Sequence, residues 1–69
     1  MSNLADLAIQ AQGYQELHEK GELSDEDFKE LVNDLQIEQT IADTAAEDEQ
    51  TQMYHQILMG VLTIAEALS

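Results

Sequence analysis

The sequence predicts an all-α protein, a helical hairpin or three-helix bundle, and three observations carry that expectation. Proline is absent and glycine occurs three times, while Leu, Ala, Gln and Glu, all good helix formers, are common. Apolar residues recur at three- and four-residue spacing, the period of a helix with one buried face. Ser, Thr, Asn and Asp stand where such stretches begin, as helix N-caps do. β-branched residues are too scattered to build a sheet. The 69 residues suit one domain, residues 1–69.

The first helix is expected over about residues 4–20. Asn3 can cap it, with Asp6 completing a capping-box-like pair. Leu4, Leu7, Ala8, Ala11, Tyr14 and His18 share a face. Gly21 follows Lys20, as befits a helix that ends in a left-handed glycine.

The second helix, about residues 25–42, has the clearest start. Ser24 is its N-cap, Asp27 the third helical residue, and Asp25 and Glu26 complement the positive end of the helix dipole. Leu23 and Phe28 occupy the two positions of a hydrophobic staple. Phe28, Leu31, Val32 and Leu35 make the core face, and Ala42 continues it. The third helix, about residues 45–68, starts less sharply. Thr44-Ala45-Ala46-Glu47 has capping-box form, and Glu47, Asp48 and Glu49 suit a first turn. Since nothing there breaks a helix, a continuous rod and a bend are both open. A bend lets the apolar face of Met53, Tyr54, Ile57, Leu58, Val61, Ile64, Ala65 and Leu68 find cover.

Charge narrows the function classes. Fifteen carboxylates against Lys20 and Lys29 leave a net −13. Direct DNA or RNA binding calls for clustered Lys and Arg, and anionic membranes repel such a chain. The longest apolar run, Ile57 to Ala65, is too short to span a bilayer. No positively charged stretch precedes an apolar one near the start, so a secretory signal is not expected. The cytoplasm is the expected location, or the host cytoplasm or virion if the protein is viral.

Chemistry is not signalled either, and no enzymatic activity, cofactor or metal is expected. Cysteine is absent and His18 and His55 are the only histidines, which leaves little to hold zinc. Read as a calcium loop from Asp25, the sixth position is Glu30 and the twelfth Gln36, where glycine and glutamate are needed. Helix capping accounts for the Asp25-Glu26-Asp27 cluster without a metal.

Residues 17–35 carry a resemblance. Gly21-Glu22-Leu23-Ser24 followed by Glu26, Asp27 and Phe28 is similar to the short helical-hairpin motif called SHOCT, with its helix, Gly-x-Leu-Ser/Thr turn, acidic pair, Phe and second helix. The resemblance covers under a third of the chain and implies a small interaction or assembly module. In general type, a tiny acidic cysteine-free chain also resembles bacteriophage accessory proteins.

Two surfaces stand out as candidates for that role. At about 100° per residue, Ile9, Gly13 and Leu17 lie opposite Leu4 and Ala8. Ile37 and Ile41 lie opposite Phe28 and Leu35, and Met59 and Leu62 fall outside the third helix's main stripe. One chain of this size has difficulty covering apolar residues on so many sides, because it buries only about 60% of its unfolded surface. Ile9, Leu17, Ile37, Ile41, Met59 and Leu62 are therefore the expected contacts, with copies of the chain or with a larger protein.

The second surface is a ridge of Glu26, Glu30, Asp34 and Glu38, every fourth residue along the second helix. Seven carboxylates and Lys29 between Asp25 and Asp43 give −6 over about 27 Å. That supports an alternative, an acidic nucleic-acid mimic that inhibits a DNA-binding protein. At one charge per roughly 4.5 Å it is sparser than duplex DNA, with one per about 1.7 Å.

Overall fold

In a computed structural model that describes residues 4–68, the chain forms four helices: α1 (Leu4–Glu19), α2 (Asp25–Asp34), α3 (Ile37–Asp43) and α4 (Glu49–Ala67). They make a three-armed bundle in which α2 and α3 together are the middle arm. Helix α4 packs most extensively on α1, less on α2 and least on α3. The expected cap at Asn3 lies outside the described residues.

The α1–α2 corner is built by local chemistry. Gly21 has φ +79°, a conformation that costs glycine little. Its N–H donates to the His18 carbonyl at 3.1 Å, and the Glu22 N–H to the Leu17 carbonyl at 2.9 Å. This is the doubled hydrogen-bond pattern of a Schellman cap. Three residues on, the Asp27 N–H donates to Ser24 Oγ at 3.1 Å, so the expected N-cap is in place. Leu23 packs against the core that contains the fully buried Phe28.

The core is small and apolar: Ala8, Ala11, Phe28, Val32, Ile37, Leu58, Val61 and Ala65. The face expected of α1 is the one it buries, with Leu4, Leu7 and Tyr14 at its margins. Two alanines let α1 approach α4 closely, while Phe28 and Leu58 fill the centre. Lys29 Nζ, on α2, donates to the Leu68 carbonyl at 3.5 Å. It places a cation at the negative end of α4, whose own last turn has none.

The middle arm departs from expectation. A single helix over 25–42 does not form: Leu35 closes α2, and Gln36 takes a left-handed conformation, φ 51° and ψ 49°. The break turns α3 into a new direction. Ile37 is buried at 2% exposure and Ile41 packs partly against the core, instead of facing away from Phe28. A left-handed non-glycine residue costs about 1–2 kcal/mol, whereas burying an isoleucine contributes about 1.5–3 kcal/mol. The kink is therefore favourable. It also turns Ala42 outward, and Leu31 is half-buried rather than central.

The last helix also begins later than expected. Thr44 terminates α3 in an extended conformation, and the N-cap of α4 is Asp48, whose Oδ1 accepts the Thr51 N–H at 2.7 Å. Asp outranks Thr as an N-cap, and Thr44 is already used as an ending. Gln52 Nε2 donates back to the Ala46 carbonyl at 3.3 Å, tying the connecting segment to the first turn of α4.

Candidate protein-binding faces

The expected contact residues separate into two groups. Ile9 is 65% exposed, Leu17 37% and Met59 47%, so these three stand on the surface. Ile37, Ile41 and Leu62 do not belong with them: Ile37 is core, and Ile41 and Leu62 are half-buried margins of it. Met53 is 50% exposed, although the apolar pattern had placed it on the buried face. It sits at the edge of that face, about 110° from the mean direction of the buried Leu58, Val61 and Ala65 on a helical projection. That angular offset was the available signal.

The outward side of α4 is the first coherent surface. Gln52, Met53, Gln56, Met59, Gly60 and Thr63 are exposed there, and no charged residue occurs from Gln50 to Ala65. Elsewhere the chain is dense in carboxylates. A solvated helix normally carries charges on its outer face; this one carries methionine and glutamine. Met side chains are flexible and polarisable and adapt to varied partner surfaces. Thr63 Oγ1 donates to the Met59 carbonyl at 2.8 Å, so its hydroxyl is satisfied within the helix.

The second surface is on α1, where Ile9, Gly13 and Leu17 line up opposite the buried Ala8 and Ala11. Nothing lies within 4 Å of where a Cβ would stand at Gly13. A shallow groove there is bounded by Gln10, Gly13, Tyr14, Glu16, Leu17 and Lys20.

The acidic ridge is shorter than expected. Glu26, Glu30 and Asp34 stay exposed along α2, but the break at Gln36 assigns Glu38 to α3. Three carboxylates over about 12 Å replace four in line. Another open groove lies beside the break, between Asn33, Gln36 and Glu38 on the middle arm and Leu62 and Glu66 on α4.

Catalytic geometry would require charged or polar groups enclosed where their reactivity can be tuned. Among the described residues no polar or charged residue is buried as a whole; the enclosed polar atom is Nε2 of the partly exposed His55, which has no partner, and no described group of three His, Asp or Glu residues is arranged to hold a metal ion. Asp48 has a carboxyl held below the usual 3.8, chiefly because the Thr51 backbone N–H donates to it, with the Thr51 side chain helping; slight desolvation opposes. Helix capping accounts for the shift. No described helix is long and apolar enough to cross a membrane.

The chain matches no protein-family model, no curated protein and no solved structure.

Proposed function

We propose that this protein is a non-enzymatic interaction or assembly subunit that binds a larger protein through the outer face of α4. The observation that carries the reading is the uncharged stretch from Gln50 to Ala65, with Met53 and Met59 half-exposed upon it, in a chain of net charge −13. Depletion of charge with enrichment in methionine is the composition of an interface centre. The surrounding carboxylates suit a polar rim and would speed encounter with a partner that is basic around an apolar patch. The SHOCT-like hairpin over residues 17–35 and the resemblance in type to bacteriophage accessory proteins fit the same role.

The mimic reading is weaker, because the ridge on which it rests is interrupted at Gln36. The two are separable by salt. Apolar contacts survive high ionic strength, and exposed carboxylate contacts do not.

The test is affinity capture from the native host with the full chain, repeated with Met53→Gln/Met59→Gln and with Glu26→Gln/Glu30→Gln/Asp34→Asn. The expected result is a stoichiometric partner retained at high salt, lost with the methionine pair and kept with the carboxylate triple. Losing two such contacts should weaken binding at least tenfold, about 1.4 kcal/mol. Capture indifferent to the methionines, or abolished by salt alone, would overturn the reading.

A further inference from the structure

We infer that α1 pairs with the α1 of a second copy of this chain, antiparallel, about a twofold axis that passes beside Gly13. This face is distinct from the one on α4, and the pairing stands independently of it.

On the outer side of α1, Asp6, Ile9, Gly13, Leu17 and Lys20 fall within about 40° of one direction on a helical projection, and all five are exposed. Their order is symmetric. Ile9 and Leu17 stand four residues either side of Gly13, and Asp6 and Lys20 stand seven either side. A twofold interface places each residue against its mirror position in the other copy. Ile9 then meets Leu17, and Asp6 meets Lys20, each twice. A parallel pair would instead set Asp6 against Asp6 and Lys20 against Lys20. Charge complementarity therefore selects the antiparallel arrangement.

The surface has the relief to match. Gly13, Glu16, Leu17 and Lys20 bound part of the α1 groove, and four residues at these spacings form the hole that receives a knob in helix pairing. In the antiparallel register the entering knob is Ile9, the most exposed of the chain's large exposed apolar side chains. Gly13 leaves the crossing point open, with nothing within 4 Å of a Cβ there. Lys20 already lies 3.0 Å from Glu16 of its own helix, and both side chains are exposed enough for the ammonium to be shared with an incoming Asp6.

Electrostatics permits this pairing. Residues 4–20 carry Asp6, Glu16, Glu19 and Lys20, a net −2 of the total −13. Two copies that meet at α1 keep their most acidic arms apart. A contact of two helices about 24 Å long is smaller than a standard stable interface, so the dimer should dissociate on dilution.

Sedimentation equilibrium and native mass spectrometry of the full chain across the micromolar range test this. The expected result is a monomer–dimer equilibrium that Gly13→Gln weakens at least tenfold. Glutamine is a better helix former than glycine, so that variant should hold its thermal midpoint while blocking the crossing. Asp6→Lys and Lys20→Asp should each weaken the dimer, and the two together should restore it, which only the antiparallel register allows. A chain that stays monomeric throughout, leaving the face to some other protein, overturns the inference. So does a dimer indifferent to Gly13→Gln, or one that the double charge reversal fails to restore.

Discussion

His18 Nε2 lies 2.7 Å from Asp25 Oδ1, so the last turn of α1 and the first turn of α2 are joined through side chains as well as through the Gly21 turn. The same imidazole stacks on Phe28, with ring centroids 4.7 Å apart and planes at 24°. One side chain thus links the exposed corner to the centre of the core. The pair is unequally exposed, 19% for His18 and 63% for Asp25. The contact between them is therefore open to water on the Asp25 side and worth about 0.2–1 kcal/mol. The stacked ring pair contributes about 0.5–1.5 kcal/mol beyond its burial. A double-mutant cycle of His18→Ala and Asp25→Ala, read by urea denaturation, should give a coupling in the lower range, with His18→Ala the costlier single change. Equal single costs would show that the carboxylate, not the Phe28 contact, dominates the corner.

Gln36 marks where local rules and the global fold disagree. Its left-handed conformation suits glycine or asparagine and is poor for most side chains. Gln36→Gly should stabilise the protein by up to about 1 kcal/mol, because relief of strain exceeds the added freedom of the unfolded chain. Gln36→Val should destabilise it by more than that. Ile37→Ser should unfold the domain rather than weaken a partner contact, since Ile37 is 2% exposed. Thermal melts of the three variants check the set, and an Ile37→Ser protein as stable as the parent would contradict the kinked arm.

How much was legible depends on where the information sits. The α1 core face, the Gly21 ending and the Ser24 cap are specified within a few residues by side-chain periodicity and capping chemistry, and they were readable. The kink was not, because nothing intrinsic to glutamine encodes a left-handed residue. What encodes it is tertiary: Ile37 and Ile41 are out of phase with Phe28 and Val32, and only a change of helix direction brings all four to one core. On a single straight helix the same phase shift puts Ile37 and Ile41 on a second surface. The exposure of Ile9, Leu17 and Met59 is legible because helices α1 and α4 are unbroken. Met53 was misplaced because it borders the buried stripe.

Asp48 sets an acid limit on α4. Its carboxyl is lowered from 3.8, first by the Thr51 backbone N–H and then by the Thr51 side chain. A folded-state value below the unfolded one means that the stabilisation is complete above about 3.8 and disappears as the pH falls through the lowered value. The Thr51 amide should therefore titrate by NMR with a midpoint below 3.8, and the first turn of α4 should fray there. Asparagine caps as well but does not ionise. Asp48→Asn should keep the cap and abolish the titration. Fraying with an unchanged profile in that variant would place its cause among the other carboxylates.

His55 presents the opposite case, a polar atom whose removal should help. Its Nε2 is enclosed with no hydrogen-bond partner, on a helix whose buried neighbours are apolar. A buried polar atom left unpaired costs about 1–3 kcal/mol, and replacing it with an apolar group of similar shape is neutral or favourable. His55→Leu keeps the branching and most of the volume, and leucine is also the better helix former. The variant should be at least as stable as the parent, with a gain of about 1 kcal/mol when the enclosed nitrogen is the dominant cost. His55→Gln places a polar amide in the same enclosure and should give no such gain. Urea midpoints of the two variants decide it: a His55→Leu protein clearly less stable than the parent would mean that the imidazole contributes through shape or through a hydrogen bond made in solution.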